Sequence, residues 1–257
     1  MALIEIKNLA KSFGGVKAVR DISLVGESDQ IVCIIGPNGA GKTTLFNLIS
    51  GIYKPDSGEI IFNNTQIKGK PQFVIAQYGI SRTFQNIRLF KGLTVLENVM
   101  TALDSEREYN IISAMLRLPV KTRTEKKNQQ KALEALEIVG ILKYRDEHPT
   151  NLPYGTQRKV ELARAIVNNP KLLMLDEPAA GLNPSEVSDF IELISQLKNR
   201  FHFGILIIEH RMQVVSELSE YIYVVNFGSL LTHGNYKEIS SDPEVIKAYI
   251  GEEKGYA

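Results

Sequence analysis

The chain has 257 residues, of which 44% are apolar and 23% are charged, and its formal net charge is +1. This composition is that of an ordinary globular protein, and the near-neutral charge argues against nucleic-acid binding, which usually needs a clearly basic face. The single cysteine, Cys33, excludes an intramolecular disulfide. No run of about 18 apolar residues predicts a transmembrane helix, and the early Glu5 argues against a signal peptide. We therefore expect any contact with a membrane to go through a partner protein.

Short apolar runs alternate with helix-like segments, which predicts a mostly parallel sheet covered by helices. The clearest buried strands are IVCIIG near residue 31, LLMLD near 172 and ILIIEH near 205. Each of them ends in a polar or glycine-rich turn, where open α/β sheets bind their ligands. Further strands are predicted by LIEIKNL near residue 3, GEIIFNN near 58 and YIYVVNFGSLL near 221.

Between about residues 86 and 168, helical periodicity replaces the strand-like runs, as in TEKKNQQKALEALEIVGIL. This change predicts a helical subdomain inserted into the α/β core. The stretch 106–123 mixes charges, a tyrosine and a Leu-Pro break, and its pattern supports no assignment.

Within the helical region, LPYGTQRKVELARAIV begins at Leu152, and Pro153 and Gly155 suit the start of a helix. Its apolar stripe consists of Val160, Ala163 and Val167, and the basic residues predicted to lie off that stripe are Arg158, Lys159 and Arg164. A helix N-terminus exposes N–H groups that favour anions. The segment therefore fits either an ordinary helix start or a site for a charged ligand.

A phosphate-binding loop is predicted by GPNGAGKTT, which fits G-x-x-x-x-G-K-[ST] between an apolar strand and a helix-like segment. Glycines let successive N–H groups point at phosphates, Lys42 adds a positive charge, and Thr43 offers a hydroxyl to Mg²⁺. The predicted nucleotide-binding residues of this loop are Gly36, Pro37, Asn38, Gly39, Ala40, Gly41, Lys42, Thr43 and Thr44.

Two acidic residues, Asp176 and Glu177, follow the apolar run LLML. Adjacent side chains on a strand point to opposite sides, so the two acids cannot share one role. A natural division gives Mg²⁺ to Asp176 and the polarisation of an attacking water to Glu177. His210 after ILIIE and Gln85 in SRTFQN are weaker signals, because either residue is also common in turns of no function.

Taken in chain order, these features resemble the ATPase subunits of ABC transporters. The resemblance covers essentially the whole chain and implies one P-loop NTPase domain over residues 1–257. It implies an α/β core with an antiparallel β part in residues 1–85 and 169–257, and a helical subdomain in residues 86–168. It also implies a head-to-tail dimer in which each ATP, with Mg²⁺, lies between two subunits.

The resemblance extends to individual residues. Phe13 in KSFGGVKAV matches an aromatic residue that stacks on adenine, and the residues implied to hold or sense Mg²⁺ are Thr43, Gln85 and Asp176. The implied catalytic residues are Glu177, His210 and Gln85, with His210 contacting the γ-phosphate. LPYGTQ matches the signature motif, and its residues implied to contact the ATP of the opposite subunit are Gly155, Thr156 and Gln157. Asn183 in AAGLNP stands where the dimer-contact loop usually has aspartate.

Four stretches are similar to one branch of the family, the ATPases of branched-chain (hydrophobic) amino acid importers: SRTFQNIRLFKGLTVLENV, LDEPAAGLNP, LIIEHRMQVV and YVVNFGSLLTHG. This branch implies membrane permease subunits, a second ATPase subunit (identical or different) and, indirectly, an external substrate-binding protein. It places the chain at the cytoplasmic face of the inner membrane. Two alternatives stay open, namely a compact exporter or lipid-extraction ATPase and a nucleotide-gated module with slow turnover.

The signature departs from the usual Leu-Ser-Gly-Gly-Gln, because Pro153 replaces the serine and Tyr154 the first glycine. Pro153 supplies neither a hydroxyl nor an N–H, whereas Gly155 keeps its N–H. The lost hydrogen bond to a charged oxygen is worth about 1.5–3 kcal/mol, or about one to two decades in rate. We therefore expect a weakened half-site, and in a heterodimer this half-site serves the ATP of the partner.

Overall fold

The computed structural model describes residues 2–106 and 119–253. Contacts divide the chain into two units, one of Met1–Arg82 with Lys171–Ala257 and one of Thr83–Pro170. Residues 107–118, which make up most of the unassigned stretch 106–123, lie outside the described residues.

A six-stranded sheet forms the centre of the first unit. Its strands, in order across the sheet, are β10 (Ser229–Gly234), β9 (Tyr221–Asn226), β3 (Ile31–Ile35), β8 (Gly204–Ile208), β7 (Leu172–Asp176) and β6 (Ile80–Arg82). All neighbours pair in parallel except β9 and β10, which form an antiparallel hairpin. Every residue of β3, β7 and β8 is buried. Strands that are covered on both faces need continuous apolar runs, which explains the sequences of these three strands.

A second sheet of the first unit is antiparallel. Its order is β2 (Val16–Glu27), β1 (Ala2–Phe13), β4 (Ser57–Phe62) and β5 (Thr65–Gln66). Side chains from both sheets, among them Ile6, Ile34 and Phe62, share one buried core with Phe46. The structure thus confirms the predicted α/β core with a mostly parallel sheet and an antiparallel β part.

The helices of the first unit are α1 (Lys42–Ile49), α2 (Gln72–Gln77), α6 (Pro184–Phe201), α7 (Met212–Leu218), α8 (Tyr236–Ser241) and α9 (Pro243–Glu253). Helix α6 begins at a capping box, in which the Asn183 side chain accepts a hydrogen bond from the Glu186 N–H at 3.0 Å. Asn183, predicted as a dimer-contact residue, is therefore also the N-cap of the helix that follows the acidic pair.

The second unit is built of helices α3 (Val95–Met100), α4 (Pro119–Ile138) and α5 (Tyr154–Ile166), with short 3₁₀ turns between them. In this unit, residues 83–106 and 119–170 contain no strand. Buried Asn98 ties the preceding loop to α3, since its Nδ2 donates to Phe90 O and its Oδ1 accepts from Phe90 N. None of the helices in the part of the chain that is described has the length and apolar character to cross a membrane.

Candidate nucleotide site

The predicted phosphate loop follows β3 and runs directly into α1. Gly36 and Gly41 have φ angles of 147° and 103°, in a region that favours glycine. A Cβ atom at Gly36 would lie 1.9 Å from Val225 O, and one at Gly41 would lie 2.3 Å from Ala18 O. Close packing against neighbouring backbone therefore requires glycine at both positions, one at each end of the loop.

Lys42, the first residue of α1, turns its side chain back into the loop. Its Nζ donates hydrogen bonds to Gly36 O and Pro37 O, both at 2.7 Å, and the residue is buried. Thr43 is exposed and Thr44 is half-buried. The ammonium group thus already lies within the loop predicted to hold phosphates, on acceptors that phosphate oxygens can replace.

Asp176 ends β7 and forms a buried ion pair with Arg82, the last residue of β6. Arg82 donates to Asp176 Oδ2 at 2.7 Å, and its other terminal nitrogen donates to Asn47 Oδ1 and Ser50 Oγ at 2.8 Å each. Among the described residues, Asp176 Oδ1 is buried without a hydrogen-bond partner. A hard cation prefers carboxylate oxygens, so the free lone pairs of Oδ1 fit the predicted Mg²⁺ ligand.

Glu177 occupies a strained turn beside His210. Its φ is 45°, a conformation that costs a non-glycine residue about 1–3 kcal/mol, and its N–H donates to Ile208 O at 2.9 Å. His210 Nδ1 lies 3.7 Å from Glu177 Oε2. The carboxylate is mostly covered and the imidazole is half exposed. The structure therefore brings two of the three predicted catalytic residues, Glu177 and His210, together after β7 and β8.

Glu209 was missed by the sequence interpretation. It is fully buried, and its carboxylate accepts hydrogen bonds from the backbone N–H groups of Ala179 at 3.0 Å, His210 at 2.9 Å and Arg211 at 3.0 Å. Burial and this carboxylate both raise the pKa of the Cys33 thiol, which agrees with the inert thiol expected for a buried cysteine. An acidic residue directly after a buried apolar run was the signal that identified Asp176, and it applies equally to Glu209.

Phe13 lies at the end of β1 with its ring 41% exposed. Its ring packs edge-to-face against exposed Tyr53 at a centroid distance of 5.1 Å, and Lys11 Nζ lies 5.3 Å from its centroid. Asp56 Oδ1 forms an ion pair with Lys11 Nζ at 2.7 Å, and Asp56 Oδ2 accepts a hydrogen bond from the Ser12 N–H at 2.7 Å. Phe13 is thus a partly exposed aromatic residue, which fits the predicted stacking on a base, and Tyr53 is an aromatic neighbour that the sequence interpretation did not identify.

The signature residues begin α5 in the second unit. Pro153 is the N-cap and makes no side-chain capping bond, while Gly155, Thr156 and Gln157 are half-buried in the first turn. Gln157 Nε2 donates to Leu152 O at 2.9 Å, which braces the residues before the helix.

Gln85 is exposed in the loop before α3, in the same unit as the signature. Its carbonyl oxygen accepts a hydrogen bond from Arg158 of α5. Arg158 was predicted to lie off the apolar stripe, yet it is buried beside the carboxylate of Glu161. Desolvation raises the pKa of Glu161 against the lowering effect of Arg158 and Arg164.

The predicted site residues therefore fall into two groups. The phosphate loop, Asp176, Glu177, His210 and Phe13 belong to the first unit, and Gln85 belongs with the signature to the second. Contacts within each unit are consistent with the predicted roles, which stay predictions.

Comparison with known proteins places this geometry in a family. A family model described as "ABC transporter" matches residues 19–180, and one described as "Branched-chain amino acid ATP-binding cassette transporter" matches residues 229–255. The high-affinity branched-chain amino acid transport ATP-binding protein LivG of Salmonella typhimurium is 44% identical over 97% of this chain and 98% of its own.

Two further comparisons bear on function and fold. The lipopolysaccharide export system ATP-binding protein LptB of Haemophilus influenzae is 36% identical over 98% of this chain and 99% of its own. The crystal structure of a nucleotide-free ATP-binding cassette from an ABC transporter superposes with a TM-score of 0.86 at 33% identity, over 98% of this chain and 100% of that one.

Proposed function

This chain belongs to the ABC transporter family, and on that premise we propose that it is the ATP-binding and ATP-hydrolysing subunit of an importer for branched-chain or other hydrophobic amino acids. The observation that carries the proposal is the similarity to LivG over nearly the full length of both chains. The match of residues 229–255 to the branched-chain cassette model supports the same branch independently of the ATPase motifs.

Lys42 is the proposed phosphate clamp. In the structure its ammonium satisfies two loop carbonyls, so bound ATP replaces neutral acceptors with charged phosphate oxygens. Hydrogen bonds between charged partners are roughly twice as strong as neutral ones, which favours this exchange. Phe13 stacks on the adenine, and the amide groups from Gly36 to Thr44 surround the phosphates.

Asp176, Thr43 and Gln85 are the proposed ligands or sensors of Mg²⁺. The unpartnered Oδ1 of Asp176 fits this role, and Arg82 holds the other carboxylate oxygen in place. Bound Mg²⁺ supplies charge neutralisation on the transferring phosphoryl group.

Glu177 is the proposed residue that orients and polarises the attacking water. Its backbone is held in a strained turn by the bond from its N–H to Ile208 O. His210 Nδ1 lies 3.7 Å from that carboxylate, and its proposed role is to contact the γ-phosphate. Charge that develops on the phosphoryl oxygens is thereby met by Lys42 and His210.

The proposed working form is a head-to-tail dimer with a second ATPase subunit. Residues 1–85 and 169–257 bind one ATP, and residues 86–168 present Gly155, Thr156 and Gln157 to the ATP of the other subunit. In this arrangement the ATP on Lys42 depends on the signature of the partner. Pro153 weakens only the half-site that serves the other ATP, so in a heterodimer the two ATPs are not equivalent.

The proposed location is the cytoplasmic face of the inner membrane, against permease subunits that receive substrate from an external binding protein. The loop around Gln85 is the proposed permease contact. Phe90 there is 56% exposed, whereas Phe84 and Leu89 are half-buried.

Two other functions are weaker. The 36% identity to LptB supports an exporter or lipid-extraction ATPase, but it is lower than the identity to LivG, and the match at residues 229–255 favours import. A module that only closes on ATP is motivated by Pro153, but the paired Glu177 and His210 argue for turnover.

The test is transport by the complex reconstituted in vesicles with its permease, partner ATPase and binding protein. We expect ATP-dependent uptake of labelled leucine, isoleucine or valine from a panel of amino acids. ATP hydrolysis without uptake of any hydrophobic amino acid, together with movement of a lipid, would overturn the importer and support the exporter.

A further inference from the structure

Arg158 is a buried cation on the signature helix α5 that makes more contacts than charge balance requires. It lies three residues before Glu161, whose carboxylate is 3.1 Å away and neutralises it. Its two terminal nitrogens also donate to groups outside the ion pair: to Phe84 O at 2.8 Å, to the carbonyl of Gln85, and to the Tyr154 hydroxyl at 3.0 Å.

These contacts join two segments far apart in sequence. Phe84 and Gln85 precede α3, whereas Tyr154 and Arg158 lie in the first turns of α5. Glu161 adds a second link, since its Oε1 accepts the Phe84 N–H at 3.4 Å. A planar guanidinium presents its donors in a rigid fork, so it fixes the direction of both carbonyls as well as their distance.

Tyr154 completes the arrangement. Its ring lies against the guanidinium, with Arg158 Cζ 5.4 Å from the ring centroid. Its hydroxyl accepts a hydrogen bond from Arg158 Nη2, the nitrogen that also donates to the carbonyl of Gln85. A glycine at position 154, as in the usual signature, offers neither ring nor hydroxyl.

We propose that Arg158 is a positioning residue that locks the backbone of Gln85 to the start of the signature helix, and that Tyr154 orients it. This rests on the proposed function, from which the roles of Gln85 and of the signature come. The lock makes the half-site for the ATP of the partner and the Mg²⁺-sensing loop of this subunit move as one body. A change at Gly155 is then felt at Gln85 without passing through the nucleotide core.

The test uses Arg158→Lys and Tyr154→Phe in the complex with permease and partner ATPase. Lysine keeps a positive charge for Glu161 but loses the fork, and phenylalanine removes one hydroxyl from a partly exposed ring. The measurements are the Mg²⁺ concentration for half-maximal ATP hydrolysis, hydrogen exchange of the amides at 84–88, and ATP affinity without Mg²⁺. Lys159→Gln, which removes a charge from the next residue of the same helix, is the matched control.

For Arg158→Lys we expect an increase of about tenfold in the Mg²⁺ requirement, the value of one charge-assisted hydrogen bond. A smaller increase is expected for Tyr154→Phe. Exchange at 84–88 should become faster in both, while Mg²⁺-free ATP affinity and the control stay at the level of the unchanged protein. A general structural defect would instead lower ATP affinity as well.

Gln85→Ala separates this inference from the proposed function. If Gln85→Ala raises the Mg²⁺ requirement but Arg158→Lys and Tyr154→Phe change neither that requirement nor the exchange, the lock is wrong and the role of Gln85 stands. If Gln85→Ala has no effect, the role of Gln85 is wrong, and the exchange alone decides the lock. Should Arg158→Lys not fold, Tyr154→Phe carries the same decision, because it leaves the ion pair intact.

Discussion

Arg82 and Asp176 form an ion pair at 2.7 Å in which both side chains are almost completely buried. The pair joins β6 to the carboxyl end of β7, and it leaves one carboxylate oxygen of Asp176 without a hydrogen bond among the described residues. An arginine from a neighbouring strand therefore orients the predicted metal ligand.

Replacing Arg82 with methionine should lower the free energy of unfolding by about 3–5 kcal/mol, because it leaves a buried carboxylate uncompensated. Urea unfolding of the purified chain measures the loss. The double variant Arg82→Met, Asp176→Asn should recover part of it, since the unpaired charge is gone. A loss below about 1 kcal/mol, the value of an exposed pair, would contradict the structural role of this contact.

Glu177→Gln should keep ATP affinity but trap an ATP-bound dimer, with hydrolysis reduced by about 10²–10⁴-fold, the usual contribution of a positioned general base. Nucleotide binding, ATPase rate and gel filtration with ATP measure the three effects. Glu217→Gln, which removes an exposed acid from α7, is the control for loss of charge. Normal turnover in Glu177→Gln would refute the role assigned to this carboxylate.

Pro153→Ser should raise the ATPase activity of the reconstituted complex by up to about one to two decades, because it restores a hydroxyl at the signature. It should also stabilise α5 by about 0.5–2 kcal/mol, since Pro153 is an N-cap without a capping bond. Pro153→Ala removes the proline ring without adding a hydroxyl. It therefore separates an effect of losing the ring from an effect of gaining the hydroxyl. An unchanged rate would contradict the weakened half-site and would mean that the missing hydroxyl is compensated, with Thr156, three residues later in the chain, as the candidate.

The carboxyl of Asp56 should titrate below its ordinary pKa of 3.8, because it accepts hydrogen bonds from Lys11 and from the Ser12 N–H. A depressed pKa in the folded state adds stability that is present above the unfolded pKa and is lost as the pH falls through the folded one. Lys11→Met should move the pKa of Asp56 back toward 3.8, as measured by carboxyl NMR titration. The loss of stability that Asp56 contributes as the pH falls should become smaller. Lys17→Met, on the adjacent strand, should leave the pKa of Asp56 unchanged.

The sequence predicted the elements whose pattern is local. The continuous apolar runs of β3, β7 and β8 were recognised, and so was the phosphate loop with its flanking strand and helix. Membership of the ABC transporter family, inferred from the order of the motifs, is confirmed by relatives matched along nearly the full chain.

The contacts that could not be predicted are those between segments far apart in the chain. β6 has three residues and is stabilised by pairing with β7, about 90 positions later. Helical periodicity assigned Arg158 to the polar side of its helix, but a distant pair of carbonyls and Glu161 stabilise its charge in the interior. Periodicity records only apolar burial, so a buried polar cluster escapes it.

The carboxylate of Glu209 accepts bonds from Ala179, which follows the acidic pair, and from His210 and Arg211, which follow β8. A single carboxylate thus ties together the backbones of two loops, one after β7 and one after β8. A shift of the residues after Glu177 is therefore carried through Glu209 to the backbone of His210.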